Sequence, residues 1–176
     1  MNNLLQSVDN KLVLAPFYSE HVTEEYVAWL NNPEVMRFTE AKWQPHTIQS
    51  SKEYIEKSNT SSTARLFRIL YESNHIGNIR LSSINHFHRK ADIAIIIGAT
   101  SARGQGLATQ SINLVAEYAF TVLNLEKLTA GMYANNTASI KSFERSGFVI
   151  EATLKSHYCC EGKRVDGILF GKVRNL

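Results

Sequence analysis

A glycine-rich turn between a predicted strand and a predicted helix is the feature that most restricts what this chain can fold into. The segment Arg103-Gly104-Gln105-Gly106-Leu107-Ala108 follows an apolar run, 91–97, and precedes a helical pattern, 107–122. Glycines allow positive φ angles and close approach of a ligand. The N–H groups of such a turn lack helical partners and lie at the positive end of the helix dipole, where phosphate groups bind. The turn predicts either a diphosphate ligand or only a tight connection.

Two other phosphate-binding motifs do not match this segment. A P-loop ends in Gly-Lys-Ser or Gly-Lys-Thr, and neither tripeptide occurs in the chain. A dinucleotide-binding turn carries a third glycine or alanine, where this chain has Thr109, and an acidic residue after the next strand. That strand, 128–133, leads instead into Ala134-Asn135-Asn136. An oxidoreductase with a dinucleotide-binding fold is therefore disfavoured.

Length and charge narrow the class of protein further. The 176 residues are predicted to form one domain, 1–176, large enough to bury a core. The formal net charge is +3 and the basic residues are scattered, which argues against a nucleic-acid partner. No apolar stretch has the length of a membrane span, and the first ten residues lack a signal pattern. No membrane partner is expected.

The cysteines and histidines give no sign of a metal site. Cys159 and Cys160 are neighbours in a predicted strand, where successive side chains point to opposite faces, so a disulfide between them would be strained. Reduced cysteines are expected in a cytoplasmic protein. His86 and His88 would share one strand face, and a role at the surface or with a substrate is favoured over metal binding. We expect no metal.

Hydrophobic periodicity predicts a mixed α/β sheet. The predicted strands are 11–17, 65–71, 75–83, 91–97, 128–133, 148–158 and 165–173. The predicted helices are 48–57, 107–122 and 137–145, together with one that begins after the N-cap Ser19 and ends at Leu30.

Several segments, spread through most of the chain, share their residues and spacing with one known family. They are Leu12-Val13-Leu14-Ala15-Pro16, Trp29 with Asn32-Pro33-Glu34-Val35, His75-Ile76-Gly77-Asn78-Ile79, Arg103-x-x-Gly106-x-Ala108, Asn136-Thr137-Ala138-Ser139-Ile140 and Gly147-Phe148. The chain resembles the GNAT superfamily of acetyl-CoA-dependent N-acetyltransferases, in its branch of ribosomal-protein N-terminal acetyltransferases and their small-molecule relatives. From Ile76 to Asp166 it is also similar to bacterial spermidine acetyltransferases.

The resemblance implies a fold and a cosubstrate. The fold is a mostly antiparallel central sheet with two splayed parallel strands in its middle and helices on both faces. The cosubstrate is acetyl-CoA, whose pyrophosphate would lie on the glycine turn and whose pantetheine arm would pair with the preceding strand. The residues expected to contact the coenzyme are Ile95, Ile96, Ile97, Arg103, Gly104, Gln105, Gly106, Leu107, Ala108, Thr109, Asn136 and Ser139.

The implied chemistry is direct attack of a neutral amine on a thioester. A primary ammonium has a pKa of about 10.4, so a base must take its proton, directly or through water. Asp92 is the predicted base unless it is only a surface charge, and His86 and His88 are second choices. Many relatives use a tyrosine as the acid for the departing thiolate, and that position here is Phe143, which cannot donate a proton. Ser139 is the favoured substitute, and Tyr158 is a further candidate.

Glu40, Trp43 and His88 are predicted to bind the acceptor amine. A polycation would favour several carboxylates, whereas Glu40 has Lys42 close to it in sequence. A small molecule such as an amino sugar is favoured, and a protein N-terminus or a polyamine is the alternative. A non-catalytic domain that senses acyl-CoA is the alternative from another class. A homo-oligomer is compatible with the resemblance.

Overall fold

One eight-stranded sheet forms the frame of the protein in the computed structural model, which describes residues 4–174. Its strands are β1 (Leu5–Gln6), β2 (Leu12–Pro16), β3 (Arg65–Tyr71), β4 (Asn74–Asn85), β5 (Lys90–Ile97), β6 (Lys127–Tyr133), β7 (Val149–Cys160) and β8 (Lys163–Val173). Their order across the sheet is β1-β2-β3-β4-β5-β6-β8-β7. Every neighbouring pair is antiparallel except β5 and β6, which are parallel. The predicted mixed, mostly antiparallel sheet is confirmed.

The parallel pair separates soon after it forms. β5 and β6 are in register only at Lys90 with Lys127, Ala91 with Leu128, and Asp92 with Thr129. Beyond these positions β5 continues beside β4 and β6 continues beside β8. The backbone groups that the two strands point at each other past Asp92 therefore have no strand partner. This fork in the middle of the sheet is a place where an extended ligand can bind.

Helices cover both faces of the sheet. They are α1 (Glu24–Asn31), α2 (Pro33–Met36), α3 (Ile48–Thr60), α4 (Leu107–Thr121) and α5 (Thr137–Arg145). Phe67 belongs to a large core that includes Ile112 of α4 and Phe143 of α5. Its neighbour Leu66 packs with Ile55 of α3 and with α1 in a second core. Because successive strand residues point to opposite faces, α4 and α5 lie on one face and α1 and α3 on the other.

The cross-strand register shows which face carries the polar residues of the fork. Leu66 lies opposite Arg80, and Arg80 lies opposite Ala94. Asp92 is two residues before Ala94 and pairs with Thr129, so these residues share the face of α1 and α3. Tyr133, four residues after Thr129, lies on the same face. The fork thus has an apolar side toward α4 and a polar side toward the N-terminal helices.

The predicted helix from Ser19 to Leu30 is wrong at its start. Ser19–His21 is a single 3-10 turn, and α1 begins at Glu24. Thr23 is the true N-cap, because its backbone is extended and its side chain accepts the N–H of Tyr26. The short strand β1 was not predicted. Within residues 4–174, no helix is long and apolar enough to cross a membrane.

Candidate active site

The turn that begins α4 presents a row of free backbone donors. Gly104 and Gly106 have φ angles of +77° and +75°, which favour glycine. The N–H groups of residues 104–109 donate to no other group in the described part of the chain, and the first helical N–H bond of α4 runs from Gln110 to Gly106. A Cβ placed at either glycine would meet no atom within 4 Å. The turn therefore has both the donors and the space that a pyrophosphate needs.

A cleft of about 540 Å³ connects this turn to the fork in the sheet. Ile95, Ile96 and Ile97 of β5 form one wall, past the last residue that pairs with β6. The glycine turn lies at one end, and Asn136 and Ser139 at the start of α5 form the opposite wall. The coenzyme-binding residues predicted from the sequence line this cleft except for Gln105, whose side chain instead donates to the carbonyl of Ser101 at 2.7 Å.

One face of α5 adds positive charge to the cleft. Ala138, Lys141, Ser142 and Arg145 all line it, and their spacing of three, one and three residues places them on one side of a helix. Arg103 also lines the cleft and pairs with Glu34 of α2 at 3.0 Å. Cationic lining raises the local concentration of a polyanion such as coenzyme A. Sequence reasoning missed Lys141 and Arg145, although their helical spacing after Asn136 was a usable signal.

Asn136 caps α5 and borders the cleft at the same time. Its side-chain oxygen accepts the N–H of Ser139 at 3.3 Å, which satisfies one of the free donors of the helix. The amide nitrogen of the side chain remains available to a ligand. Ser139 lies in the same wall of the cleft, in the first turn of α5.

Asp92 lies where the fork opens. It forms the last register pair of β5 and β6 with Thr129, and the Thr129 hydroxyl donates to its carboxylate. The side chain of Asp92 is exposed on the polar face of the sheet. Beyond this point β5 remains paired with β4 but no longer with β6, so Asp92 is the carboxylate nearest in sequence to the part of β5 whose β6-facing groups are free.

A group of aromatic and charged side chains lies at the far end of β6, and we call it the Tyr133 cluster: Glu40, Lys42, Trp43, Tyr133 and Tyr158. The hydroxyl of buried Tyr133 donates to Glu40 Oε1 at 2.7 Å. Tyr158 stacks on Tyr133 with ring centres 4.1 Å apart, and its hydroxyl lies over Gly131. Burial and the Glu40 carboxylate raise the pKa of Tyr133, so its hydroxyl stays protonated.

Phe38 connects the Tyr133 cluster to the cleft. Phe38 lines the cleft, and its ring centre lies 5.7 Å from that of Tyr133. Glu40 and Trp43, predicted from the sequence as acceptor contacts, both belong to the cluster, and Trp43 Nε1 donates to Glu40 at 3.3 Å. Sequence reasoning missed Tyr133, because its contact with Glu40 joins residues 93 positions apart.

His86 and His88 lie elsewhere. Both are exposed in the turn between β4 and β5, at the end of β5 opposite to the glycine turn, and neither is among the residues that line the cleft. Phe143 is 2% exposed and packs edge-on against Phe148, so it is part of the core rather than of the cleft. Within residues 4–174, no group of three or more potential metal ligands is assembled.

Comparison with known proteins decides the family. The model of the acetyltransferase (GNAT) domain matches residues 11–149, most of the chain. The chain belongs to the GNAT acetyltransferase family. It is 32% identical over 133 residues to a spermidine N(1)-acetyltransferase of Escherichia coli K12, covering 76% of this chain and 70% of that protein. This GNAT protein is therefore an N-acetyltransferase whose cosubstrate is acetyl-CoA.

Solved structures agree with this membership. The spermidine N-acetyltransferase of Vibrio cholerae, solved with CoA and spermine, superposes with a TM-score of 0.82 at 27% identity, over 93% of this chain and 95% of that one. The ribosomal L7/L12 α-N-protein acetyltransferase RimL, solved with CoA, superposes with a TM-score of 0.87 over 97% and 98% of the two chains. Its 15% identity supports the shared fold alone.

Proposed function

We propose that this GNAT enzyme transfers the acetyl group of acetyl-CoA to the primary amine of a small molecule, such as an amino sugar. The attacking nitrogen forms the new C–N bond, and the C–S bond of the thioester then breaks to release the thiolate of coenzyme A, so no covalent enzyme intermediate is needed. The observation that carries the proposal is the contact of the cleft with the Tyr133 cluster through Phe38. A site for the acceptor amine and a site for the pyrophosphate are thereby parts of one continuous surface.

Different residues of the cleft would bind different parts of acetyl-CoA. Free N–H groups of residues 104–109 would hold the pyrophosphate, and the backbone groups of 95–97 that face away from β4 would hold the pantetheine amides. Asn136 would donate its side-chain N–H groups to the same arm. A backbone N–H of β5 aimed at the thioester carbonyl would stabilise the oxyanion that forms during attack, which is commonly the largest electrostatic contribution in acyl transfer.

Two proton transfers complete the reaction. Asp92 would take the proton of the ammonium, directly or through water, since its carboxylate lies where the fork opens. Ser139 would donate to the departing thiolate, because it lies in the cleft wall where buried Phe143 cannot reach. A thiol has a pKa of about 8.5, so help from an acid is useful without being essential.

A polyamine is the second candidate acceptor, supported by the spermidine acetyltransferase relatives. The Tyr133 cluster favours a smaller amine, since Glu40 is its single carboxylate and Lys42 adds a positive charge. A protein N-terminus is the third candidate. A cytoplasmic location remains our prediction, and the free thiols of Cys159 and Cys160 fit a reducing compartment. A homo-oligomer also remains a prediction.

Thiol release from acetyl-CoA tests the proposal. The enzyme would be assayed with an activated amino sugar, spermidine and a peptide with a free N-terminus, each over a range of concentrations. We expect the amino sugar to give the highest kcat/KM. The peptide should not raise the rate of thiol release above the rate measured without an acceptor. If no amine accelerates release although coenzyme A binds, transfer to an amine is excluded. If spermidine is preferred by tenfold or more, the second candidate replaces the first.

A further inference from the structure

The side-chain ammonium of Lys42 is held in a binding site of its own. It donates to the carbonyl of Arg37 at 2.8 Å and to the hydroxyl of Tyr133 at 3.2 Å. It also lies over two aromatic rings, 4.7 Å from the ring centre of Trp43 and 4.8 Å from that of Tyr133. In the described part of the chain, Lys42 forms no ion pair within 4 Å of a carboxylate. A carbonyl, a hydroxyl and two π faces therefore bind this cation.

The parts of this site are fixed by contacts that do not involve Lys42. The Tyr133 hydroxyl donates its proton to Glu40, which leaves its oxygen lone pairs for a cation. The ring of Tyr133 is held by stacking on Tyr158, and the indole of Trp43 by its hydrogen bond to Glu40. The acceptor atoms and ring faces would thus keep their arrangement if another cation replaced the lysine.

Two features connect the site to the outside and to the cleft. Trp43 is 64% exposed, so a dissolved ligand can reach its ring. On the inner side, Tyr133 contacts Phe38, which lines the cleft. Lys42 itself is half-buried on a short 3-10 turn, Glu40–Trp43, and its long side chain can swing into solvent.

We propose that Lys42 occupies the site at which this enzyme binds the ammonium group of its acceptor, and that the acceptor displaces it. The inference rests on the proposed function, and it adds the chemistry of the subsite: a primary ammonium bound in its charged form by Tyr133 and Trp43. Removal of the proton for attack is a separate, later step. Lys42 is then an internal competitor that lowers the apparent affinity for every amine.

A tethered competitor acts at a high effective concentration. A group on a short flexible connection competes at millimolar levels or above, so free amines bind the wild-type protein weakly. Removal of the lysine ammonium should remove this competition and leave the ring faces and the hydroxyl in place. A single cation–π or charged hydrogen bond is worth enough to change an affinity by about tenfold.

Binding of n-butylammonium chloride without acetyl-CoA tests the site directly. Lys42→Ala would be compared with the wild type and with Lys57→Ala, which removes an exposed lysine of α3. We expect calorimetry to show an affinity at least about tenfold tighter for Lys42→Ala than for either of the others. The same concentrations of sodium chloride should give no such heat. Equal affinities of Lys42→Ala and Lys57→Ala would overturn the proposal.

Two further variants control for unfolding and test where the ammonium binds. Lys42→Met keeps the aliphatic stem and removes the charge, and it would replace Lys42→Ala in the comparison if the alanine variant unfolds at lower temperature. Adding Tyr133→Phe to the lysine variant should reduce the gain in affinity by fivefold or more, because the hydroxyl acceptor is lost. A gain that survives Tyr133→Phe unchanged would place the bound ammonium elsewhere and contradict the proposal.

The outcome is independent of the assay for acetyl transfer. Failure of every amine to release thiol would exclude the proposed function even if n-butylammonium binds to Lys42→Ala. Failure of n-butylammonium to bind would exclude the ammonium site even if acetyl transfer is observed. Where both succeed, Lys42→Ala should also lower the KM for the acceptor by about tenfold and leave the KM for acetyl-CoA unchanged.

Discussion

Asp92 and Thr129 form the last pair of residues at which the two parallel strands of the sheet are in register, and the Thr129 hydroxyl donates to the Asp92 carboxylate. The hydrogen bond fixes the carboxylate at the point where the strands separate. Because we propose that the pantetheine arm lies between the separated strands, we expect Asp92 to lie beside the thioester. The register of this pair therefore places the predicted base at the fork.

Asp92→Asn should lower kcat by about a hundredfold or more, because the amide cannot accept the proton of the ammonium. The Asn oxygen can still accept the Thr129 hydroxyl, so the strands should remain in place and the thermal midpoint should change little. The measurement is kcat against pH for both proteins. Equal rates and the same pH profile in the variant would remove Asp92 from the role of base.

The glycine turn offers a test of coenzyme binding with a matched control. Gly106→Glu would place a carboxylate among the free N–H groups, and we expect the affinity for coenzyme A to fall by tenfold or more, since the carboxylate would occupy the space of the pyrophosphate and repel its negative charge at short distance. Gly162→Glu introduces the same side chain at nearly the same φ, +76°, in the turn between β7 and β8. It should carry the same backbone strain and leave coenzyme affinity unchanged.

Asn136→Ala tests whether Asn136 acts only as the N-cap of α5 or also binds acetyl-CoA. Loss of the N-cap should cost about 1 kcal/mol of stability, and loss of the side-chain N–H donors should raise the KM for acetyl-CoA. Thr47→Ala removes the N-cap of α3, which lies outside the cleft, and should cost a similar amount of stability. A rise in KM of the same size in Thr47→Ala would show that Asn136 acts only through the helix.

Local signals predicted most of the elements well. The helix predicted to begin at residue 48 begins there as α3, and α5 begins and ends at the predicted residues. The start of α1 was missed because Ser19 and Thr23 are both good caps, and only tertiary packing decides between them. β1 contains two residues, too few to show an alternating pattern.

The site was predictable in part, for a physical reason. Free N–H groups at the glycine turn follow from a contiguous sequence, so that half of the site could be derived from the chain alone. The Tyr133 cluster depends on contacts among three distant segments, and the pairing of Tyr133 with Glu40 has no local signature. The separation of two parallel strands was expected from the family resemblance, but the residue at which β5 and β6 separate, Asp92, is visible only when both strands are in place.

Phe143→Tyr should destabilise the protein without raising turnover. Phe143 is 2% exposed and packs between Phe148 and Phe170, so a hydroxyl there would be buried without a partner. Such a group costs about 1–3 kcal/mol. Thermal unfolding and kcat would be measured together. A higher kcat would mean that the new hydroxyl reaches the thiolate, which the packing of this residue contradicts.

The pH dependence of stability should reflect a half-buried histidine, His75. Its ring packs against Phe17, Tyr26 and Trp29. Its Nε2 lies 3.0 Å from the carbonyl of Gly77 and 3.0 Å from Asn78 Oδ1, which makes it a donor. Burial lowers the pKa of His75 below its ordinary value, more than the hydrogen bond to Asn78 raises it. The folded protein therefore holds a neutral imidazole.

A histidine in the unfolded chain has a pKa of about 6.5. Stability should fall as the pH drops below this value, because the unfolded chain then binds a proton that the folded chain does not bind. The loss continues down to the lowered pKa of the folded state, and above pH 7 the contribution is complete. Thermal midpoints from pH 8 to 5 measure this slope. His75→Asn should flatten it, whereas His88→Gln, at an exposed turn, should leave it unchanged. The same slope in His75→Asn would assign the effect to another group.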